Sequence, residues 1–212
     1  MKLTKYTTSK LEIRDLIKAW SILSLAFAIL LSRGFDVNFF YTLVLSCITV
    51  GFGFILHELG HKFMAQRFGY KAEFRAFDEM LFLALIMSFF GFIFAAPGAT
   101  MIFTKSIREK YNGIISVIGP IVNLILASLF ILILYFITFD FSLVVNILRS
   151  PFNLSEMPLK YAIPFVGFLV NSWLALFNMI PFWLFDGKKV FKWNKFVYFL
   201  VLAIALFFVF GI

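Results

Sequence analysis

The sequence predicts an all-α polytopic membrane protein, with about five transmembrane helices, a re-entrant or partly spanning segment near residues 81–96 and a short surface strand. Three observations carry that expectation. The 212 residues are 62% hydrophobic and 14% charged, with a mean hydropathy of +0.98, against about half apolar and about a quarter charged in soluble domains. The apolar residues gather into runs close to the ~20 residues that cross a bilayer. The basic residues that give the net charge of +8 sit in short gaps between those runs. They form no aromatic-interleaved patch, so they read as positive-inside topology, and no nucleic acid partner is expected.

In chain order, Lys2, Lys5, Lys10, Arg14 and Lys18 lead into WSILSLAFAILL, the first span at about 16–33. No small-residue cleavage site follows it, so it reads as a retained anchor. A polar link from Arg33 to Asn38 precedes a long apolar run at 40–67 that contains the lone Cys47, a packing residue; one cysteine excludes an internal disulfide. YKAEFRAFDE at 70–79 is polar and alternating, the pattern of a short strand at the membrane surface. The next apolar run, MLFLALIMSFFGFIFAAPGATMIF, is broken by Gly91 and by Pro97-Gly98. A polar link at 104–112 leads to a span at 113–138 with Gly119, Pro120 and Asn123 in its first turns. The connection at 139–160 holds an apolar stretch expected to lie on the surface. A span at 161–182, a basic link and a last apolar run at 196–212 complete the chain. No repeat or linker divides it, so a single integral-membrane domain over 1–212 is expected.

The chemistry concentrates in GFGFILHELGHKFMAQRFG, residues 51–69, which holds both histidines of the protein, His57 and His61, with Glu58 beside the first. Residues i and i+4 share a helix face, so both imidazoles can reach one metal while Glu58 stands next to a water on it. The bland reading is a pair of satisfied core histidines. It is disfavoured because ionisable side chains at membrane depth are costly, and a carboxylate beside two imidazoles there needs a cation or a proton. Two histidines on one helix face cannot take opposite axial positions of one haem iron.

Catalytic zinc takes three protein ligands and an open position, so the third must be Asp, Glu or Cys47. Asp186, in FNMIPFWLFDGKK, is the acid at the end of an apolar span. Its alternative reading is an ordinary Asp-Gly turn. Asp78, Glu79, Glu109 and Glu156 read as solvated interface residues. Charge bias and ligand reach agree on topology. If 81–96 re-enters, 16 of the 19 basic residues are cytoplasmic, with Arg33, Arg149 and Lys160 outside, and Asp186 reaches the depth of His57 and His61. If it spans, only 11 are cytoplasmic and the ligands fall on opposite faces. Asn123 and Asn178 are amides in greasy helices that either pair between helices or hold substrate backbone or a developing oxyanion. Pro181 is expected to open the helix before Asp186.

At these residues the chain resembles the site-2 protease family of intramembrane zinc metalloproteases, as a small archaeal-type member. HELGH at 57–61 is similar to its HExxH, NMIPFWLFDG at 178–187 to its Asn, Pro and Asp-Gly signature, and GPIVN at 119–123 to its intervening Gly/Asn element. The resemblance covers about 40–190, the expected catalytic core, and the sequence shows no PDZ-like or CBS-like region. It implies one zinc per chain on His57, His61 and Asp186, with Glu58 as the catalytic base and Asn123 and Asn178 near the substrate. The implied reaction is peptide-bond hydrolysis within or near transmembrane segments of a membrane-protein substrate that must locally unwind.

The N-terminus and the opening of the site are expected on the cytoplasmic side of the cell membrane, with lipid as the surrounding partner. The sequence carries no signal for oligomeric state. Two rivals remain: a membrane zinc protease of the prenyl-protein endopeptidase type with Glu156 as third ligand, and a catalytically silent metal-binding membrane protein. A transporter should offer more ligands along a path than this chain has.

Overall fold

A computed structural model describes residues 6–32, 35, 38–93, 96–149, 154, 157–182 and 185–211. Glu156, the rival third ligand, lies outside the described residues, as do Lys2, Lys5 and Arg33 of the charge argument. The helices are α1 (Lys10–Ser32), α2 (Phe39–Arg67), α3 (Asp78–Phe89), α4 (Glu109–Thr138), α5 (Phe141–Arg149), α6 (Leu159–Asn178), α7 (Asp186–Trp193) and α8 (Lys195–Gly211). The strands are β1 (Lys71–Ala76) and β2 (Gly98–Phe103).

Among the described residues, α1, α2, α4 and α6 are long and apolar enough to cross a membrane. The fifth apolar run forms a shorter helix, α8. At 1.5 Å per residue it reaches ~25 Å, just short of a ~30 Å hydrocarbon core. The first span begins earlier than its apolar run, because Lys10, Glu12, Arg14 and Asp15 are already helical. The stretch at 139–160 contributes α5, whose Val144 and Ile147 pack into the cluster of Leu45, Leu134, Phe165 and Val166.

Among the described residues, the helix in 81–96 is too short to cross. The helix there, α3, has 12 residues and so spans only ~18 Å. It ends at Phe89 with Phe90 as its cap, and Gly91 takes the left-handed φ of +86° that turns the chain back. The returning segment forms β2, antiparallel to β1 with Phe74 opposite Thr100 and Ala76 opposite Gly98. Both ends of the excursion therefore meet in one sheet. The strand expected at 70–79 is β1; its partner was hidden inside an apolar run.

Helix α2, which carries both histidines, is uniform except for a π turn at Cys47–Gly51. Trp20 of α1 donates its indole N–H to Cys47 O at 3.1 Å, satisfying a carbonyl in that turn. Gly51 is needed because a Cβ there would overlap the Trp20 ring. At the other end, Gly69 (φ +86°) closes α2 and feeds β1. Helix α4 sits between α2, α6 and α7, and its Val117 and Leu124 join Ala175, Met179, Val190 and Tyr198 in a second apolar cluster.

Candidate metal centre

His57 and His61 project from α2 toward α4, with their Nε2 atoms 3.0 Å apart. They come that close because α4 offers Gly119 there: a Cβ at that position would collide with both imidazoles. Asp186, the first residue of α7, closes the third side, its Oδ2 3.0 Å from His61 Nε2 and 3.4 Å from His57 Nε2. It begins a helix rather than ending a span. Helix α6 stops at Asn178, before Pro181, and the chain relinks to α7. Gly187 permits this junction, since a Cβ would strike the Met179 carbonyl.

The hydrogen bonds behind the two imidazoles place a proton on Nδ1 of each. His61 Nδ1 lies 2.8 Å from Ile115 O, a carbonyl that can only accept, so this nitrogen carries the proton. His57 Nδ1 lies 2.5 Å from Asn123 Oδ1. The Asn123 amide is oriented by its Nδ2, which donates to Gly53 O at 3.2 Å and to Asn171 Oδ1 at 2.9 Å. Asn171 is oriented in turn by donating to Gly167 O at 2.8 Å. His57 Nδ1 is therefore also a donor. The two Nε2 atoms then face each other and a carboxylate oxygen, an arrangement that either a proton or a metal cation holds together. Such a set repels itself unless a cation sits in it, and two imidazoles with one carboxylate are the donor set of catalytic zinc.

Glu58 also brings an oxygen within 4.8 Å of both histidines. Its Oε2, however, accepts the Thr100 backbone N–H at 2.8 Å and lies 2.9 Å from the Thr100 hydroxyl. The same hydroxyl is 2.9 Å from Glu58 O. Glu58 is thus anchored to the sheet, while Asp186 Oδ2 faces the imidazoles. That division suits Asp186 to hold a metal and Glu58 to move a proton.

The fold brings together four of the expected site residues, His57, Glu58, His61 and Asp186. Asn123 is fully buried behind His57 with its amide committed to His57, Gly53 and Asn171, so its bonds run to protein groups rather than into substrate space. Asn178 donates to Leu174 O one turn back at 2.9 Å, the i−4 pattern of a helix satisfying its own amide. Asp78, Glu79 and Glu109 are exposed. Lys62, one of the 16 basic residues counted to the cytoplasmic side, is 1% exposed in an ion pair with Glu12. Sequence reading missed Asn171 and Thr100. The first carried the same signal as Asn123, an amide in a greasy helix; the second carried none, because its strand lay within an apolar run.

Two imidazoles and two carboxylates buried in a bundle of apolar helices define a class, the membrane-embedded zinc peptidases. Residues 45–159, more than half the chain, match the profile of peptidase family M50. The chain is also 38% identical over 194 residues to MJ0611 of Methanocaldococcus jannaschii, named as a candidate zinc metalloprotease, covering 91% of this chain and 90% of that protein. The chain belongs to peptidase family M50, the site-2 protease family, and is a zinc metalloprotease with membrane-spanning helices. No solved structure matches it significantly.

Proposed function

We propose that this protein is an intramembrane protease that hydrolyses peptide bonds within or near transmembrane segments of membrane-protein substrates. The observation that supports this most is the burial of the site: His57, Glu58, His61 and Asp186 are each at most 7% exposed, in a bundle with many exposed apolar side chains. A peptide bond reaching them must come from a segment that tolerates lipid and must first leave its helical hydrogen bond. The whole chain serves as one domain in this reading, with the catalytic core at about 40–190.

In that reaction His57, His61 and Asp186 hold zinc, which when bound supplies a Lewis acid that polarises the scissile carbonyl and acidifies water. Glu58 accepts the proton of the attacking water and returns it to the leaving amine. Thr100 engages Oε2, which orients the carboxylate and leaves Oε1 for the proton. Asn123 and Ile115 O take the Nδ1 protons, which leaves both Nε2 atoms available to the metal. We place the N-terminus, the sheet and Asp186 on the cytoplasmic side of the cell membrane, which gives water a short path to the site.

The test is cleavage of a transmembrane helical peptide carrying a helix-breaking residue, by zinc-loaded protein in liposomes. Cuts mapped to the apolar segment are expected; cuts only in soluble tails would overturn the reading. Replacing Asn123 by Ala frees His57 Nδ1, and zinc affinity is expected to fall about 10- to 100-fold. Competition with a chelator measures this, and an unchanged affinity would remove Asn123 from the centre.

A further inference from the structure

The chain Ser9-Lys10-Leu11-Glu12 has the form of a capping box at the start of α1, with Ser9 Oγ accepting the Glu12 N–H at 3.1 Å. In a capping box the Glu folds back on the Ser backbone. Here it turns into the protein and is fully buried. Glu12 Oε2 accepts Lys62 Nζ at 2.7 Å, and Thr8 Oγ1 takes a second ammonium proton at 2.8 Å. Glu12 Oε1 accepts the backbone N–H of Phe74 in β1 at 3.0 Å. One carboxylate thus joins α1, the metal-bearing helix one residue past His61, and the outer edge of β1.

The register of the sheet gives that contact its meaning. Phe74 faces Thr100 across the ladder, and both residues turn their N–H groups outward: Phe74 to Glu12, Thr100 to Glu58. Two carboxylates therefore grip opposite edges of one two-stranded plate at the same level. A two-stranded sheet alone is only marginally stable, so its position depends on what holds its edges. A buried ion pair is in itself no better for stability than an apolar pair of the same size. What this pair does specifically is fix the plate relative to α2.

We propose that Glu12 is a positioning residue for Glu58: by anchoring the Phe74 edge of the sheet it sets Thr100 against the Glu58 carboxylate. This rests on the protease reading, with Glu58 as the base. Glu12 touches neither metal nor substrate, and its effect passes through β1, β2 and Thr100.

The experiment compares two double variants, so that no charge is left buried alone. Glu12→Gln with Lys62→Met keeps an acceptor for the Phe74 N–H; Glu12→Leu with Lys62→Met removes it. Relative to the first, the second is expected to have kcat lower by about tenfold, the worth of one oriented hydrogen bond, with KM and zinc content unchanged. In a Glu58→Gln background that difference should vanish, because the base whose orientation the sheet sets is no longer there. A merely structural role predicts the opposite: equal loss in both backgrounds, or loss of zinc, and either result overturns the proposal. Equal kcat in the two double variants overturns it as well. Amide hydrogen exchange at Thr100, faster in the Glu12→Leu pair, reads the same link without substrate. If zinc-loaded wild type cleaves no transmembrane peptide, the protease reading fails. The exchange rate then decides the sheet anchor by itself: faster exchange supports it and unchanged exchange overturns it.

Discussion

Asp186→Ala is expected to strip zinc from the purified protein, from about one per chain to a small fraction, and to abolish cleavage with it. Asp186 Oδ2 stands 3.0 and 3.4 Å from the two Nε2 atoms, and without it two neutral imidazoles face a site with no ligand charge of their own. Removing a ligand should therefore cost more than the ~100-fold upper range for a group that merely supports one. Asp186→Asn is the informative companion, because it keeps size and one oxygen but loses the charge. Metal analysis of detergent-purified protein gives the answer. Full zinc in Asp186→Ala would mean that Glu58 or an acid outside the described residues completes the set, and the rival with Glu156 as ligand would move ahead.

Glu58→Gln is expected to do the reverse, keeping zinc at about one per chain while kcat falls on the order of a thousandfold. General-base groups contribute roughly 10² to 10⁴ in rate. The amide preserves an oxygen for the Thr100 N–H and hydroxyl, so the carboxylate's anchor to the sheet survives and only proton transfer is lost. The readout is a single preparation assayed for zinc and for cleavage of the transmembrane peptide. Retained cleavage would dismiss Glu58 as base. Loss of zinc would make it a ligand. A metal-binding protein without catalysis would keep its function in this variant, which separates that rival from the enzyme.

Much of the site was legible in the sequence because its parts are local or chemically rare. His57, Glu58 and His61 lie within one turn of one helix, where spacing alone dictates geometry. Asp186 could be singled out because acids flanking apolar runs are few, and because charge bias placed its depth. The re-entrant excursion was likewise readable: Gly91 and Pro97-Gly98 interrupt a run whose full crossing would have scattered the basic residues. Asn123 was visible as an amide in hydrocarbon, yet its partner was not. Whether it meets substrate or His57 depends on the rotation of α4 against α2, which no residue pattern records.

The sequence by itself therefore determined the membrane class and the helix that carries both histidines, and pointed to Asp186 as the acid beside them, through hydrophobic run length and the cost of burying charge. Tertiary structure alone decided how those groups are held. It oriented both imidazoles through Ile115 O and an Asn123–Asn171 relay, and it paired a strand hidden in an apolar run with β1 so that Thr100 meets Glu58. It also joined Glu12 and Lys62 into a buried clasp. The physical reason is range: periodicity and desolvation act on each segment separately, whereas hydrogen bonds between residues some 40 to 70 positions apart exist only once the helices have packed.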